Sequence, residues 1–328
     1  MATENKDQDH RELPCPSAVD IYPCVCIIIG GSTMDMDCSA VTSNSDLARI
    51  FSSVFPFPDF ESLIINNNHY LITLREGDLG QVTFKRVIIT SSSLEIVESN
   101  TFLSSHGTLT DMEIVTTNLL SFPFSEIPLF TQLTTLNLQN NELTGFPVLA
   151  SMSLQYLYLD INPLGWIAPT SLGNLPSLVG VYLSFAEITQ IFPGTFTGHP
   201  MLTEVSLSYN GLQDLEAGII NLQTLYNSVH LDGNAISYIA EGALVGIRGS
   251  LYVNDNQLTE LAEGVFRPLI QEGMDFYARN NPLTCGCDIA WLVVNPTYKS
   301  HLKDDATCSD GERVTDLNPS LYLELCYS

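Results

Sequence analysis

Six histidines, thirty-seven aspartates and glutamates and thirteen tyrosines are the side chains of this 328-residue chain that could move a proton or hold a cation. Their spacing matches none of the familiar catalytic patterns. The chain has no H-E-x-x-H, no G-x-S-x-G, no phosphate loop and no dinucleotide fingerprint. His69, His106 and His199 fall in turns beyond strands, where a solvated ring is expected, while His10 and His301 lie toward the two ends. Only His230 sits on a strand, at its exposed middle position, where it can contribute to a ligand surface. The pair Asp304-Asp305 could meet calcium but lacks a repeated oxygen-ligand spacing, so solvated surface is the plainer reading. No catalytic residue, cofactor or metal site is expected, and an enzyme is the least supported class.

Cysteine is the other reactive type. Cys15, Cys24, Cys26 and Cys38 form one group and Cys285, Cys287, Cys308 and Cys326 a second, with none between. Such groups suit small caps without cores of their own, stapled by disulfides in an oxidising compartment. Each group alone allows three connectivities. Zinc is the weaker alternative, because neither group offers two well-spaced C-x-x-C pairs.

What lies between the groups must be built to need caps. Leu202 to Leu215 reads L-T-E-V-S-L-S-Y-N-G-L-Q-D-L, with Leu202, Val205, Leu207 and Leu212 around Asn210. That is the leucine-rich repeat signature, L-x-x-L-x-L-x-x-N-x-L. The apolar residues lie on and beside a short strand, and the Asn turns its amide inward to pair backbone groups that a tight bend leaves without partners. Aligned on Asn210, the chain yields ten repeats at Asn68, Ser92, Thr117, Asn141, Asn162, Ala186, Asn210, Asn234, Asn256 and Asn281, spaced by 21 to 25 residues. Two further apolar columns run in step, from Leu74 with Leu79 to Leu261 with Phe266, and should form the packed outer side. Ser92 and Thr117 can make fewer bonds than an amide and Ala186 none with its side chain, so local loosening or a buried water is expected there. Asn44 is placed in a polar turn.

The fold class is therefore α/β: a leucine-rich repeat solenoid, or horseshoe, with a parallel concave sheet and disulfide-stapled caps. Residues 1–14 read as a disordered leader, 15–56 as the N-terminal cap, 57–284 as ten repeats and 285–328 as the C-terminal cap. In the first cap, Val25 to Ile29, Gly30-Gly31 and a second short strand ending near Cys38 read as a hairpin. Met1 to Glu12 has no apolar signal-peptide core, so the sequence reads as a mature secreted form, and no run of about 20 apolar residues offers a membrane span.

Side chains alternate along a strand, so residues between the apolar ones face outward from the concave sheet. There the chain places Tyr158, Tyr182, His230, Tyr252 and Tyr277, with Tyr156, Phe185 and Tyr209 in neighbouring columns and Asp160, Glu204, Asp232, Asp255 and Asp275 interspersed. One reading is a tyrosine ladder that only stabilises the sheet. The other is a protein-binding strip of large rigid contacts. Twelve Lys and Arg against thirty-seven acids leave a charge of -25, which argues against nucleic acid and for a basic protein partner.

The C-terminal run P-L-T-C-G-C-D-I-A-W-L-V from Pro282 resembles the capping module of extracellular leucine-rich repeat proteins. That resemblance implies a helix carrying Trp291 over the tenth repeat, with Asp288 as its N-cap or first-turn acid. P-C-V-C at Pro23, M-D-C-S at Met36, F-P-F at Phe55 and V-F-R-P-L at Val265 extend the likeness. Over about residues 15 to 328 the chain resembles a group of secreted arthropod proteins named for the non-catalytic subunit of oplophorus-luciferin 2-monooxygenase. One departure is the eight residues between Cys15 and Cys24. The resemblance implies interleaved disulfides, Cys15 with Cys26, Cys24 with Cys38, Cys285 with Cys308 and Cys287 with Cys326. It also implies a leucine-rich repeat chain that accompanies a small catalytic, luciferase-like chain. A free-standing extracellular recognition or adhesion protein, acting in immunity or development, is the alternative.

Overall fold

The computed structural model describes residues 15–31 and 33–328, so the expected leader and its His10 lie outside the described residues. The chain divides into two compact units, Met1–Leu133 and Thr134–Ser328.

The first unit opens with an antiparallel hairpin. Val25–Ile29 pairs with Thr33–Asp37, from Val25 against Asp37 to Ile29 against Thr33. Gly30 and Gly31 turn the chain at φ 59° and 75°, which only glycine adopts without cost. Thr33–Asp37 then starts a parallel series with Asp59–Asn66, Thr83–Thr90 and Asp111–Val115. Runs such as Val87-Ile88-Ile89 explain why two of these strands reach eight residues, since β-branched side chains favour the pleated surface.

A helix, Asn44–Phe51, replaces the expected polar turn. Ser43 caps it by accepting from the Asp46 N–H at 3.2 Å, and Leu47, Ile50 and Phe51 are buried. The signal was the S-x-x-D spacing before an apolar pair. Asn44 is thus no idle surface residue: its amide donates to Thr73 O and to the Asp78 carboxylate, both at 2.6 Å.

In the second unit seven strands of three residues stand in parallel register: Thr135–Asn137, Tyr156–Tyr158, Gly180–Tyr182, Glu204–Ser206, Ser228–His230, Ser250–Tyr252 and Asp275–Tyr277. Each buries its middle residue, for example Leu157, Val205 and Phe276, and leaves its flanks half-exposed, except at the buried Gly180. The two outer apolar columns are buried in both units, from Leu74 to Phe266.

Beside the second unit's strands runs the asparagine ladder. Asn210 Nδ2 donates to Leu183 O at 2.8 Å and Leu207 O at 2.9 Å, and its Oδ1 accepts from the Ala186 and Ile188 N–H groups. Asn234 donates to Leu207 O and Leu231 O, and Asn256 to Leu231 O and Val253 O. Asn281 takes Val253 O and Ala278 O. Leu207, Leu231 and Val253 are thus each held by two amides, one from either side. Asn141 and Asn162 share Leu138 O in the same way, while in the first unit Asn68 bonds Ser39 O and Val41 O.

That sharing bears on the gap in the ladder at Ala186, which is fully buried. Leu159 O keeps the Asn162 amide and Leu183 O keeps the Asn210 amide, so each carbonyl that a sixth-repeat amide would reach still has one donor. The Leu164 N–H, which would meet an amide oxygen, donates to the Ala186 carbonyl at 3.0 Å. In the first unit Ser92 fills its rung with a hydroxyl, donating to Thr90 O at 2.9 Å and accepting from the Asn68 N–H.

Four disulfides staple the two ends of the described chain: Cys15–Cys26 and Cys24–Cys38, then Cys285–Cys308 and Cys287–Cys326. In the C-terminal segment Trp291 is buried on the helix Ala290–Val293, and its indole N–H donates to Leu261 O at 2.9 Å. That hydrogen bond ties the helix to the ninth repeat. Asp288 takes no capping bond and stands in the first turn of the 3-10 segment Cys287–Ile289. Among the described residues no helix is long and apolar enough to cross a membrane.

Candidate functional site

Strand register sets the outward side chains of the second unit in columns. Tyr158 pairs with Tyr182, Tyr182 with Ser206, Ser206 with His230, His230 with Tyr252 and Tyr252 with Tyr277. Strand spacing of about 4.8 Å suits flat rings face to face. Tyr158 and Tyr182 stack at 4.4 Å and 5°, His230 and Tyr252 at 4.4 Å and 8°, and Tyr252 and Tyr277 at 4.5 Å and 11°. The column is therefore two stacks separated by one strand, at Ser206.

Tyr156 stands beside the first stack, with Gly180 as its register partner. A Cβ on Gly180 would lie 2.9 Å from the Tyr182 ring and 3.2 Å from that of Tyr156, so glycine is what lets both rings lie over this strand. Burial first, and the Glu204 carboxylate next, push the Tyr182 hydroxyl from 10.0 up to about 12. Tyr158 and Tyr277 are also held above the ordinary value, again by burial first.

A second column stands one step beyond the strands. Phe185 and Tyr209 stack at 4.5 Å and 7°, and both are half-exposed or more. Tyr209 then covers Gly233, where a Cβ would come within 2.5 Å of the ring. The backbone here is unusual. The residue before each ladder position is left-handed in all ten repeats, from Asn67 at φ 51° to Asn280 at φ 59°. Asn, Asp and Gly tolerate that conformation, but three successive repeats place Ile161, Phe185 and Tyr209 in it, at 53° to 55°. Such bulky residues cost about 1 to 3 kcal/mol each there, and strain of this kind collects at functional sites. Ile161, 48% exposed, extends the column and was missed from the sequence. Its signal was the ladder register, which marks the preceding residue as a turn position.

The histidines divide differently from expectation. His199 is buried with Nδ1 3.4 Å from Leu175 O, and His106 packs edge-on against Phe130 near Glu126, so neither is a solvated turn residue. His69 is exposed and His301 bonds Asp275 at 2.9 Å. His230 takes both Ser228 Oγ, at 2.9 Å, and Glu204 Oε1, at 3.1 Å, on the same ring nitrogen, Nε2. A serine-histidine-carboxylate relay uses both nitrogens, one toward each partner. Asp304 and Asp305 are engaged by the Arg279 N–H and by Arg313, and among the described residues no His, Cys, Asp and Glu side chains cluster as a metal site.

Comparison with known proteins places this geometry. Leucine rich repeat patterns match residues 132–151 and 152–212. The chain is 34% identical over 134 residues to podocan-like protein 1 of Mus musculus, covering 39% of this chain and 23% of that one. A chain of the octameric complex of Latrophilin 3, Unc5D and FLRT2 (LRR) shares the fold at a TM-score of 0.73 and 21% identity, over 95% of this chain and 100% of that one. The Drosophila Toll-Spatzle complex gives a TM-score of 0.56 at 16% identity, over 89% and 49%. Oplophorus-luciferin 2-monooxygenase non-catalytic subunit from Oplophorus gracilirostris is 38% identical over 329 aligned residues, 98% of this chain and 92% of that one. The chain belongs to the leucine-rich repeat family of that non-catalytic subunit.

Proposed function

We propose that the chain is a secreted binding scaffold without catalytic activity of its own, which holds a basic protein partner on the aromatic sheet face of its second unit. The observation that carries this reading is the exposed column Ile161, Phe185 and Tyr209, kept in a backbone conformation that costs energy and that Asn or Gly would relieve. A sheet ladder needs stacking but not strain. Beside it stand Tyr156, Tyr158, Tyr182, His230, Tyr252 and Tyr277, rigid contacts of the kind that dominate protein interfaces. Kinship to a subunit named non-catalytic supports a small luciferase-like catalytic chain as the partner. Four disulfides support an oxidising, extracellular setting.

Native purification with identification of co-eluting chains tests the partner, and variants test the face. Tyr182→Ala and Tyr252→Ala should each weaken capture by tenfold or more, about 1.4 kcal/mol or greater, while the outer-side change Gln190→Ala leaves it unchanged. Folded tyrosine variants that bind like the parent would remove the sheet face from the reading. Elution without any catalytic chain would favour a free-standing recognition protein.

A further inference from the structure

The outermost strands of the two units are finished differently. In the second unit, beyond Asp275–Tyr277, the chain supplies its own cover: the Phe276 N–H donates to His301 O at 2.9 Å and the Lys303 N–H to Phe276 O at 3.0 Å. In the first unit, Val25–Ile29 pairs with Thr33–Asp37 on one side and with no described segment on the other. Every second residue of such a strand turns its N–H and C=O away from its partner, a ready template for another strand.

Free edges are ordinarily blunted by a charge or a proline. This one reads V-C-I-I-I, with Val25, Ile27, Ile28 and Ile29 exposed by 39 to 56% and the more exposed Tyr22 beside Val25. From Cys15 to Gly31 the only charged side chain is Asp20, while Asp35 and Asp37 stand one strand in, opposite Ile27 and Val25. A basic partner would find little here to answer its charge. The segment ahead of Cys15 begins beside the strand, because Cys15 is bonded to Cys26, but its sequence offers only Met1, Ala2 and Leu13 as apolar cover.

We propose that Val25–Ile29 is the docking edge for a second copy of this chain, paired antiparallel across a two-fold axis at Ile27. Ile27 then meets its own copy and Val25 meets Ile29, an isologous contact that closes at two because each copy has used its free edge. A chain of charge -25 repels its copy, so self-association requires a surface where charge is thin, and this stretch provides one. The exposed side chains of the strand and Tyr22 amount over two copies to roughly 1,000 Å², the size at which specific interfaces begin. The pairing is independent of the sheet-face reading.

Sedimentation velocity of the full chain over a range of concentrations tests it. A monomer-dimer equilibrium is expected, shifted toward dimer by added salt, which screens the repulsion and leaves the apolar contact. Ile27→Glu sets two carboxylates face to face and should weaken the dimer by about tenfold or more, whereas Ile27→Val should not. Ile29→Glu, at the strand end, gives the same reading should Ile27→Glu fail to fold. Tyr252→Ala should leave the dimer intact while it weakens partner capture, so the two readings fail separately. Hydrogen exchange at the outward amides of Val25–Ile29 should slow as concentration rises. A parent that stays monomeric at every concentration and salt, or a dimer unchanged in the folded glutamate variants, overturns the pairing. Amides equally protected in dilute solution would do so too, since the chain's own leader would then be the cover.

Discussion

In the first unit the exposed sheet positions are occupied by charge pairs, Lys85 with Glu61 at 3.0 Å and Arg86 with Glu113 at 3.5 Å. In the second they are occupied by stacked rings and by acids, of which Asp275 pairs with Lys303 at 3.3 Å while Glu204 faces the His230 ring. Strand length follows the same division, eight residues at Thr83–Thr90 against three at Glu204–Ser206. A face whose charges answer one another has little left for a partner. Rings of fixed geometry beside carboxylates such as Asp160 and Asp232, which are answered by a neutral N–H or hydroxyl, keep both contact area and negative charge in reserve, so one repeat pattern yields a self-satisfied sheet and a sheet that can recognise.

The largest effect should come from the staples. Cys287→Ser with Cys326→Ser opens a 39-residue separation in the second unit, and Cys24→Ser with Cys38→Ser one of 14 in the first. Each is expected to cost about 2 to 5 kcal/mol, with the longer closure about 1 kcal/mol the greater on chain-entropy grounds. Urea midpoints in the reverse order would show that the two caps are not held by the same physics.

Rungs come next. Asn210→Ala strips Leu183 O of its only ladder amide, because Ala186 supplies none, and leaves two N–H groups without their acceptor. A loss of about 2 to 3 kcal/mol is expected. Asn234→Ala leaves Leu207 O with Asn210 and Leu231 O with Asn256, and should cost nearer 1 kcal/mol. Ser92→Ala, a hydroxyl rung of the first unit, should cost no more than that. Equal melting losses for Asn210→Ala and Asn234→Ala would refute the shared ladder. Asn44→Ala is no neutral reference for this series, since its two donated bonds tie the helix start to Thr73 and Asp78.

A smaller effect separates the sheets by pH. Folding raises the Tyr182 hydroxyl from 10.0 to about 12, so its contribution is intact below pH 10 and is lost as pH climbs toward 12, where the folded form ionises too. Solvent reaches the ring, so the effect is modest. Denaturation across that range should show stability falling more steeply in the parent than in Tyr182→Phe; identical slopes would remove the burial argument.

Lys85→Ala should matter least. The pair is exposed, and a loss under about 1 kcal/mol that shrinks further in salt is expected. A larger, salt-insensitive loss would mean that the first unit's face depends on its ion pairs.

Much of this was legible in residue spacing, because a repeat writes each buried contact ten times. Asn210, Val205 and Leu215 announce a rung, an inner core position and an outer one by register alone. The pairing of strands carried the ring columns for the same reason. What spacing could not convey was compensation between repeats. Ala186 looked like a defect until the Asn162 and Asn210 amides were seen to cover its carbonyls. Nor does a one-letter pattern reveal φ, so Ile161 went unremarked, as did the room that Gly180 and Gly233 leave for rings. The Asn44 helix was lost to the weight given to its polar start over the Leu47, Ile50 and Phe51 face.

Acceptors served from both sides give the second unit a form of error correction. One rung can fall silent and its neighbours still read the carbonyls, but two silent rungs in succession would leave the carbonyl between them with no side-chain donor. Mutations in a lineage then interact by parity: Asn210 is constrained because Ala186 has already spent the local redundancy, while Asn256, whose two carbonyls are also served by Asn234 and Asn281, can be lost once at the smaller cost of one N–H acceptor.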